Sequence, residues 1–377
     1  MVSIIKKTKK TVKLVIKAKS VCKKKSYYPN EPHKSTLQVF LDQLFFIWKF
    51  GGREKYYFAY GFDRKSMNRK RICEEYIVYE PEFLNKIFYN NNYCSRKKRI
   101  YPARCIVTDK FYFYLFLKSL NVPTPRILYY TRNGKLFYDE FNHGDEISTI
   151  FSHDMDAFAK QFDGQLGNGA FAIKIKDSRV FVNNVLVPST YDLLKTFTQT
   201  NYIIQERIVQ HPQLNRLCST AVNTIRLLTI FTPNEEILAV RAGLRIGREG
   251  SSVDNCAKGG IFVGIDMNTG KLMKRGIIKP PYGDTVYKHP DNGIVLEGFE
   301  IPFFKEAVKM AKELHSKLYR IHSIGWDIAI TQEGPMFIEG NSLWEVSGTQ
   351  AAVGGLKHIE KYFDCKEKPF DWIKNYY

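Results

Sequence analysis

The sequence predicts an α+β or mixed α/β fold rather than a doubly wound one, on three observations. Residues 33–100 carry apolar positions at mainly helical spacing. Beyond residue 120 the chain turns to short strand-like runs. Those runs follow one another without the intervening helices that a parallel sheet requires.

Residues 1–25 hold ten lysines and no acid, and set Ile4, Ile5, Val12, Val15, Ile16 and Cys22 at near-helical spacing. Such a segment is either a solvated basic tail or an amphipathic helix lying on an anionic membrane surface. After the break at residues 28–31, Thr36 to Phe50 and Glu80 to Tyr89 read as helices, interrupted by Gly51-Gly52 and by Asn90–Asn92. Packing is the default role for this N-terminal helical region, residues 26–105. Asp109 to Leu120 reads as a further helix, and Val122 to Tyr130 as a turn entering a strand. Strand-like runs follow at Phe171–Ile175, Val180–Asn183, Tyr202–Glu206, Thr224–Phe231, Ile237–Leu244 and Ile261–Ile265. An amphipathic helix over Phe303–Tyr319 precedes two last strands, Trp326–Thr331 and Met336–Glu339.

The 377 residues, 44% hydrophobic, suffice for a substantial core and argue against disorder. No apolar run of the length needed to span a bilayer is present, and the lysine-rich start has no apolar stretch of the secretory kind. Seven scattered cysteines without a CxxC pair support neither a disulfide framework nor a zinc site, so a reducing cytoplasm is expected. The net charge of +19 favours anionic partners without choosing among nucleotides, nucleotide-sugars, anionic lipid and nucleic acid.

Chemistry concentrates in three places. In Gly325–Asn341, two apolar strands flank the turn Gln332-Glu333-Gly334-Pro335. If the hairpin centres on Glu333, Asp327 lies opposite Glu339 with Asn341 on the same face. Ile328, Ile330, Met336 and Ile338 then take the other face, leaving Trp326, Ala329, Phe337 and Leu343 around the acids. Opposed carboxylates repel unless a cation lies between them. Two carboxylates and an amide oxygen suit Mg²⁺.

In Phe158–Gly169, Lys160 ends an apolar stretch, and Gly164, Gly167 and Gly169 follow at a density that lets backbone N–H groups approach an anion; a plain glycine-rich turn has the same composition. The third place is the strand arginines, Arg226 and then Arg241 and Arg245. Arg241 and Arg245 share a face in a continuous strand, and guanidiniums turned inward grip carboxylate or phosphate; on an outer face they simply meet water. Asp254, Asn255, Lys258, Gly259 and Gly260 follow. His211, His289, His315 and His322 lack metal-ligand spacing and read as structural.

In this order the motifs resemble the ATP-grasp superfamily, and more narrowly its sugar-transfer-associated family. The resemblance rests on residues 108–125, 158–171, 202–215, 222–231, 253–266, 289–302 and the GWDIAIT and IEGN segments. It implies two antiparallel-sheet α+β subdomains clasping ATP within residues 106–365, a lid subdomain at about 155–205 and a catalytic subdomain at about 206–365. Lys160 would contact the phosphates, with Lys110 its companion, beneath a lid of Gly164, Gly167 and Gly169. Gln205, Glu206, Arg207 and Ile208 would read adenine through the backbone. Asp327, Glu339 and Asn341 match the family's magnesium ligands. Gln161, Leu166 and Asn168 depart from the family's usual lid.

The implied reaction is ATP-dependent ligation of a carboxylate to an amine through an acyl phosphate. Arg226 would hold the acyl phosphate, and Arg241 or Arg245 would orient the substrate carboxylate. The expected substrates are an amino acid and an acidic or amino sugar on a nucleotide or lipid carrier, with peripheral contact to the inner membrane surface through the N-terminal lysines. Phosphotransfer to a sugar or small molecule is the rival within the fold. A nucleic-acid ligase is disfavoured because Lys160–Gly164 is one residue longer than KxDG. A basic binding module would not need acids opposed on a hairpin.

Overall fold

The computed structural model describes residues 16, 18, 20–22, 24–94, 99–100, 103–138, 143–162, 169–251, 254, 259–278 and 283–363. The lid glycines Gly164 and Gly167 lie outside them, as do Asn255 and Lys258.

The helical region opens with α1 (Thr36–Phe50), α2 (Arg69–Glu75) and α3 (Glu80–Asn92). Ser35 and Gln38 form a capping box that starts α1, and Gly51 in the left-handed region closes it. The Asn90–Asn92 run does not break α3. Asn90 bonds back to the Lys86 carbonyl, and buried Asn91 donates to the Ser323 and Ser342 carbonyls, docking the helix end onto the last hairpin. From the lysine-rich start, Ala18 and Val21 are buried, whereas Ile16 faces solvent, so Ile16 does not join an inward apolar face.

A short ribbon, β1 (Tyr93–Cys94) with β2 (Arg99–Ile100), leads to α4 (Cys105–Thr108) and α5 (Lys110–Ser119). Then comes the first large sheet: β3 (Ile127–Arg132), β4 (Lys135–Tyr138), β5 (His143–Glu146), β6 (Met155–Gln161), β7 (Phe171–Lys176), β8 (Arg179–Val182), β9 (Val185–Leu186) and β10 (Tyr202–Glu206), with α6 (Tyr191–Gln199) before the last strand. Its spatial order is β5-β4-β3-β10-β6-β7-β8-β9, antiparallel throughout. Leu136, Ile150, Ala157, Ile173, Phe197 and Ile204 lie in its own core.

The short α7 (Pro212–Asn215) leads into the second sheet: β11 (Thr224–Phe231), β12 (Ile237–Ile246), β13 (Ile261–Ile265), β14 (Leu272–Ile278), β15 (Asp284–Val286), then α8 (Phe304–Lys317), β16 (Ser323–Thr331) and β17 (Gly334–Asn341). The order is β15-β14-β13-β12-β11-β16-β17, again antiparallel. Helix α8, together with Phe113 and Leu117 of α5, packs over Ile225, Leu227, Trp326, Ile328, Ile330 and Phe337. Helix α9 (Val346–Val353) covers the other face beside the N-terminal helices. Two antiparallel sheets with flanking helices make this an α+β protein, as the sequence predicts.

The last hairpin departs from its expected facing. The turn is two residues, Gln332-Glu333, and pairing runs Thr331↔Gly334 to Ile328↔Phe337 before shifting by one to Asp327↔Glu339. Ile338 is therefore the extra residue of a β-bulge. Phe337, not Met336 or Ile338, joins Trp326 and Ile328 in the core, away from the acids. The bulge restores Asp327 opposite Glu339.

Candidate functional site

The charged groups of the candidate site sit on strands β6, β11, β12, β16 and β17 and at the start of α5, elements that packing fixes. Arg226 on β11 is the cross-strand partner of both Gly243 on β12 and Asp327 on β16. Gly243 has no side chain because the Phe262 ring fills the position, and at Gly325 a Cβ would lie 2.7 Å from Trp344 and 3.2 Å from Arg226 Nη1. The missing side chains leave Arg226 lying along the sheet against the Asp327 carboxylate, Nε to Oδ1 2.9 Å. Arg245 reaches the same oxygen from two pairs further along β12. Asp327 is 6% exposed. Burial opposes its ionisation, but Arg226 and Arg245 outweigh that and hold its carboxyl below the usual range.

Glu339 is served from elsewhere. Lys110 begins α5, whose cap is Asp109, with Oδ1 accepting from the Phe111 and Tyr112 N–H groups. Its Nζ lies 3.9 Å from Glu339 Oε1. Lys160 comes from β6 of the first sheet, and its Nζ is 3.8 Å from the same oxygen. Only 7% of Lys160 is exposed. Burial lowers its pKa, Glu339 opposing and Lys110 adding to the fall. Beside these lysines, Phe111 of α5 stacks on Phe162, just past β6, with centroids 5.7 Å apart and planes 5° from parallel.

The structure adds Asp254 to the group, which the sequence placed in a notable segment without a role. It accepts from the Thr224 N–H at 3.0 Å and from the Thr224 hydroxyl. Burial raises its carboxyl, against the pull of Arg245. The available signal was Thr224, two residues before Arg226 on one strand face.

Arg241 is not brought to the acids. Its Nη1 donates to the Val240 carbonyl, its Nε is buried without a hydrogen-bond partner, and Leu228 opposite it belongs to a separate apolar cluster. A bulge between β11 and β12 at Leu228/Thr229 lies beside it. Gly169, at φ +69°, packs against the Gln161 amide, where a Cβ would come within 2.7 Å of Nε2.

Segment 205–208 leaves the first sheet at the end of β10. Gln205 donates to the Pro125 carbonyl at 3.1 Å, and Glu206 bonds Arg126 through backbone and side chain. The N–H and C=O of Ile208 meet no partner among the described residues.

A metal ion fits on donor chemistry. Asp327, Glu339 and Asn341 offer oxygen alone, the set a hard cation takes. Asn341 Nδ2 lies 3.4 Å from Asp327 Oδ2, so the three side chains share one face. The set has only two carboxylates, and among the described residues no group of three or more His, Cys, Asp or Glu is clustered for a metal. Four cations, Lys110, Lys160, Arg226 and Arg245, face three carboxylates, Asp254, Asp327 and Glu339. Such a balance suits a metal that arrives with phosphate rather than a bare ion.

The model of the sugar-transfer associated ATP-grasp family matches residues 89–363. The chain belongs to that family. No curated protein matches it. Among solved structures, this ATP-grasp chain is similar to D-alanyl-alanine synthetase A from Vibrio cholerae, at 14% identity and TM-score 0.40, covering 70% of this chain and 63% of that one. The Bacillus anthracis D-alanine–D-alanine ligase complexed with ATP gives 14% identity, TM-score 0.37, and 69% and 66% coverage. An N5-carboxyaminoimidazole ribonucleotide synthetase in its ADP complex gives 11%, 0.37, and 64% and 46%. The chain thus spans between 46% and 66% of the length of these three. Among the described residues no helix is long and apolar enough to cross a membrane.

Proposed function

We propose that this protein is a cytoplasmic ATP-dependent carboxylate–amine ligase that works through an acyl phosphate. It would join an amino acid to a sugar or uronic acid, on a nucleotide or lipid carrier, in cell-surface polysaccharide biosynthesis. The observation that carries the reading is the opposed pair Asp327 and Glu339, with Arg226 and Arg245 on one carboxylate and Lys110 and Lys160 on the other. The family's association with sugar transfer supports the substrate class.

In the proposed reaction a substrate carboxylate oxygen attacks the γ-phosphorus, the bond to the β–γ bridging oxygen breaks, and ADP leaves. The amine nitrogen then attacks the acyl carbon and loses a proton. The carbon–oxygen bond to phosphate breaks, yielding an amide and free phosphate. Mg²⁺ held by Asp327, Glu339 and Asn341 would neutralise phosphate charge during transfer. Lys110 and Lys160 would bind the phosphate oxygens as fixed, largely desolvated cations, so little reorganisation is needed as charge moves. Arg226 would hold the acyl phosphate and Arg245 the substrate carboxylate. Residues 205–208 would read adenine, the unbonded Ile208 backbone supplying donor and acceptor. Gly164, Gly167 and Gly169 would form the lid.

The test is ATP-dependent phosphate release with Asp327→Asn and Glu339→Gln, run beside amino acids and acidic or amino sugars that stimulate ADP formation. Loss of turnover in both variants, with intact folding, supports the reading. Retained turnover in both overturns it. ADP with a stable phosphorylated product would mark phosphotransfer instead.

A further inference from the structure

Helix α1 is built inside out. Its buried face carries Asp42 and Gln43, 5% and 0% exposed, beside Val39 and Phe46. Its outer face shows Leu37, Leu41 and Trp48, 66%, 45% and 83% exposed, with Leu44 between them half-buried. The positions 37, 41, 44 and 48 form one continuous stripe. The buried polar groups are all engaged. Asp42 accepts from Lys34, Arg69 and Tyr57, and Gln43 exchanges hydrogen bonds with the Glu54 backbone. The helix therefore spends its polar residues inward and keeps a leucine–tryptophan ridge in water, which is costly for a face that meets nothing.

Cations rim that ridge. Between α1 and α2 lies an open cleft of about 540 Å³ lined by Phe45, Lys49, Arg69, Lys70, Cys73 and Glu74. Lys49 and Arg69 both sit over the Phe45 ring, at 5.6 and 5.1 Å from its centroid. Lys49 and Lys70 thus line the cleft with Arg69, which Asp42 also holds, and with Glu74 as the one acid of its lining.

We infer that the α1 face docks on an anionic lipid bilayer, with Leu37, Leu41, Leu44 and Trp48 entering the interface and the Lys49–Arg69–Lys70 cleft taking a lipid phosphate. Charge decides among occupants. A second copy would bring the same cations together, and the chain's own start, with ten lysines in residues 1–25, is repelled by that rim. A surface carrying negative headgroups above an apolar layer complements both parts, and tryptophan prefers that boundary.

The experiment is co-sedimentation of the full chain with vesicles of phosphatidylcholine, with and without phosphatidylglycerol, read together with tryptophan emission. The expected result is binding to the anionic vesicles only, with a blue shift of emission. Combined Leu37→Ser, Leu41→Ser and Trp48→Ser should weaken binding by roughly tenfold or more at an unchanged melting temperature. Lys49→Glu with Lys70→Glu should weaken it while leaving the apolar ridge intact. Absence of binding, equal binding to neutral vesicles, or full binding by the triple variant overturns the inference. So does a parent dimer that the triple variant converts to monomer.

Discussion

Lys160 and Glu339 lie 3.8 Å apart although the lysine belongs to the first sheet and the glutamate to the second. This pair, with the Phe111–Phe162 stack beside it, marks where the two sheets meet over the candidate site.

Replacing Lys160 by Met removes a buried cation that the proposed reaction gives to phosphate. ATP affinity, measured by calorimetry, should fall by roughly 10- to 150-fold, the span of one hydrogen bond to a charged group. In the parent, affinity should fall as pH rises through the Lys160 pKa, because only the protonated lysine attracts phosphate. The fall begins below the ordinary lysine range, since burial lowers that pKa. Glu339→Gln should move it lower still.

Arg226 and Arg241 should separate cleanly. Arg226→Met strips Asp327 of one guanidinium at 2.9 Å and should abolish turnover. Arg241→Met loses a side chain that burial already disfavours as a cation and should leave turnover within about twofold. Steady-state ADP release on both variants checks the contrast.

Gly325→Ala puts a methyl group 2.7 Å from Trp344 Cβ and 3.2 Å from Arg226 Nη1. The Trp344 contact should cost about 1–3 kcal/mol of stability. Displacement of Arg226 should reduce kcat in addition, seen when denaturation midpoints and turnover are compared on one preparation.

His315 is buried and His322 half-buried, and desolvation pushes the pKa of each down to about 4, so both are neutral at pH 7. An unfolded histidine binds its proton near pH 6.5. Below that pH the unfolded chain therefore binds more protons than the folded one, and stability falls as pH drops from about 6.5 towards 4. Each site contributes roughly 3 kcal/mol over the full window. Urea midpoints between pH 7 and 4 should decline steeply, and His315→Gln should flatten the slope.

The hairpin was legible because its message is local: two acids, a turn and period-two spacing within Gly325–Asn341. Even so, the facing of Met336 and Phe337 is not legible, since the bulge at Ile338 flips every position between it and the turn. Strand β6 hides its character because its fully buried residues, Ala157 and Ala159, carry little strand preference. Strand β5, His143–Glu146, is a polar edge and reads as loop. The partner of Glu339 could not be read from spacing, as Lys160 reaches it through a contact between sheets. Helix α1 was legible as a helix but not in its orientation, because Asp42 and Gln43 turn inward only for partners as distant as Arg69 and Glu54.

The first sheet enters and leaves the rest of the molecule through neighbouring segments. Pro125 and Arg126 bond Gln205 and Glu206, while just outside, the Pro123 carbonyl accepts from Phe337 and Gln210 is tied to Asn223. Residues 127–206 thus form an insertion whose two ends adjoin and whose core is its own. Excising them and joining the ends with a short linker would cost little loop entropy and would leave the second sheet whole. Such a miniature would keep the opposed acids, both guanidiniums and Lys110, having lost Lys160 and the cover above them.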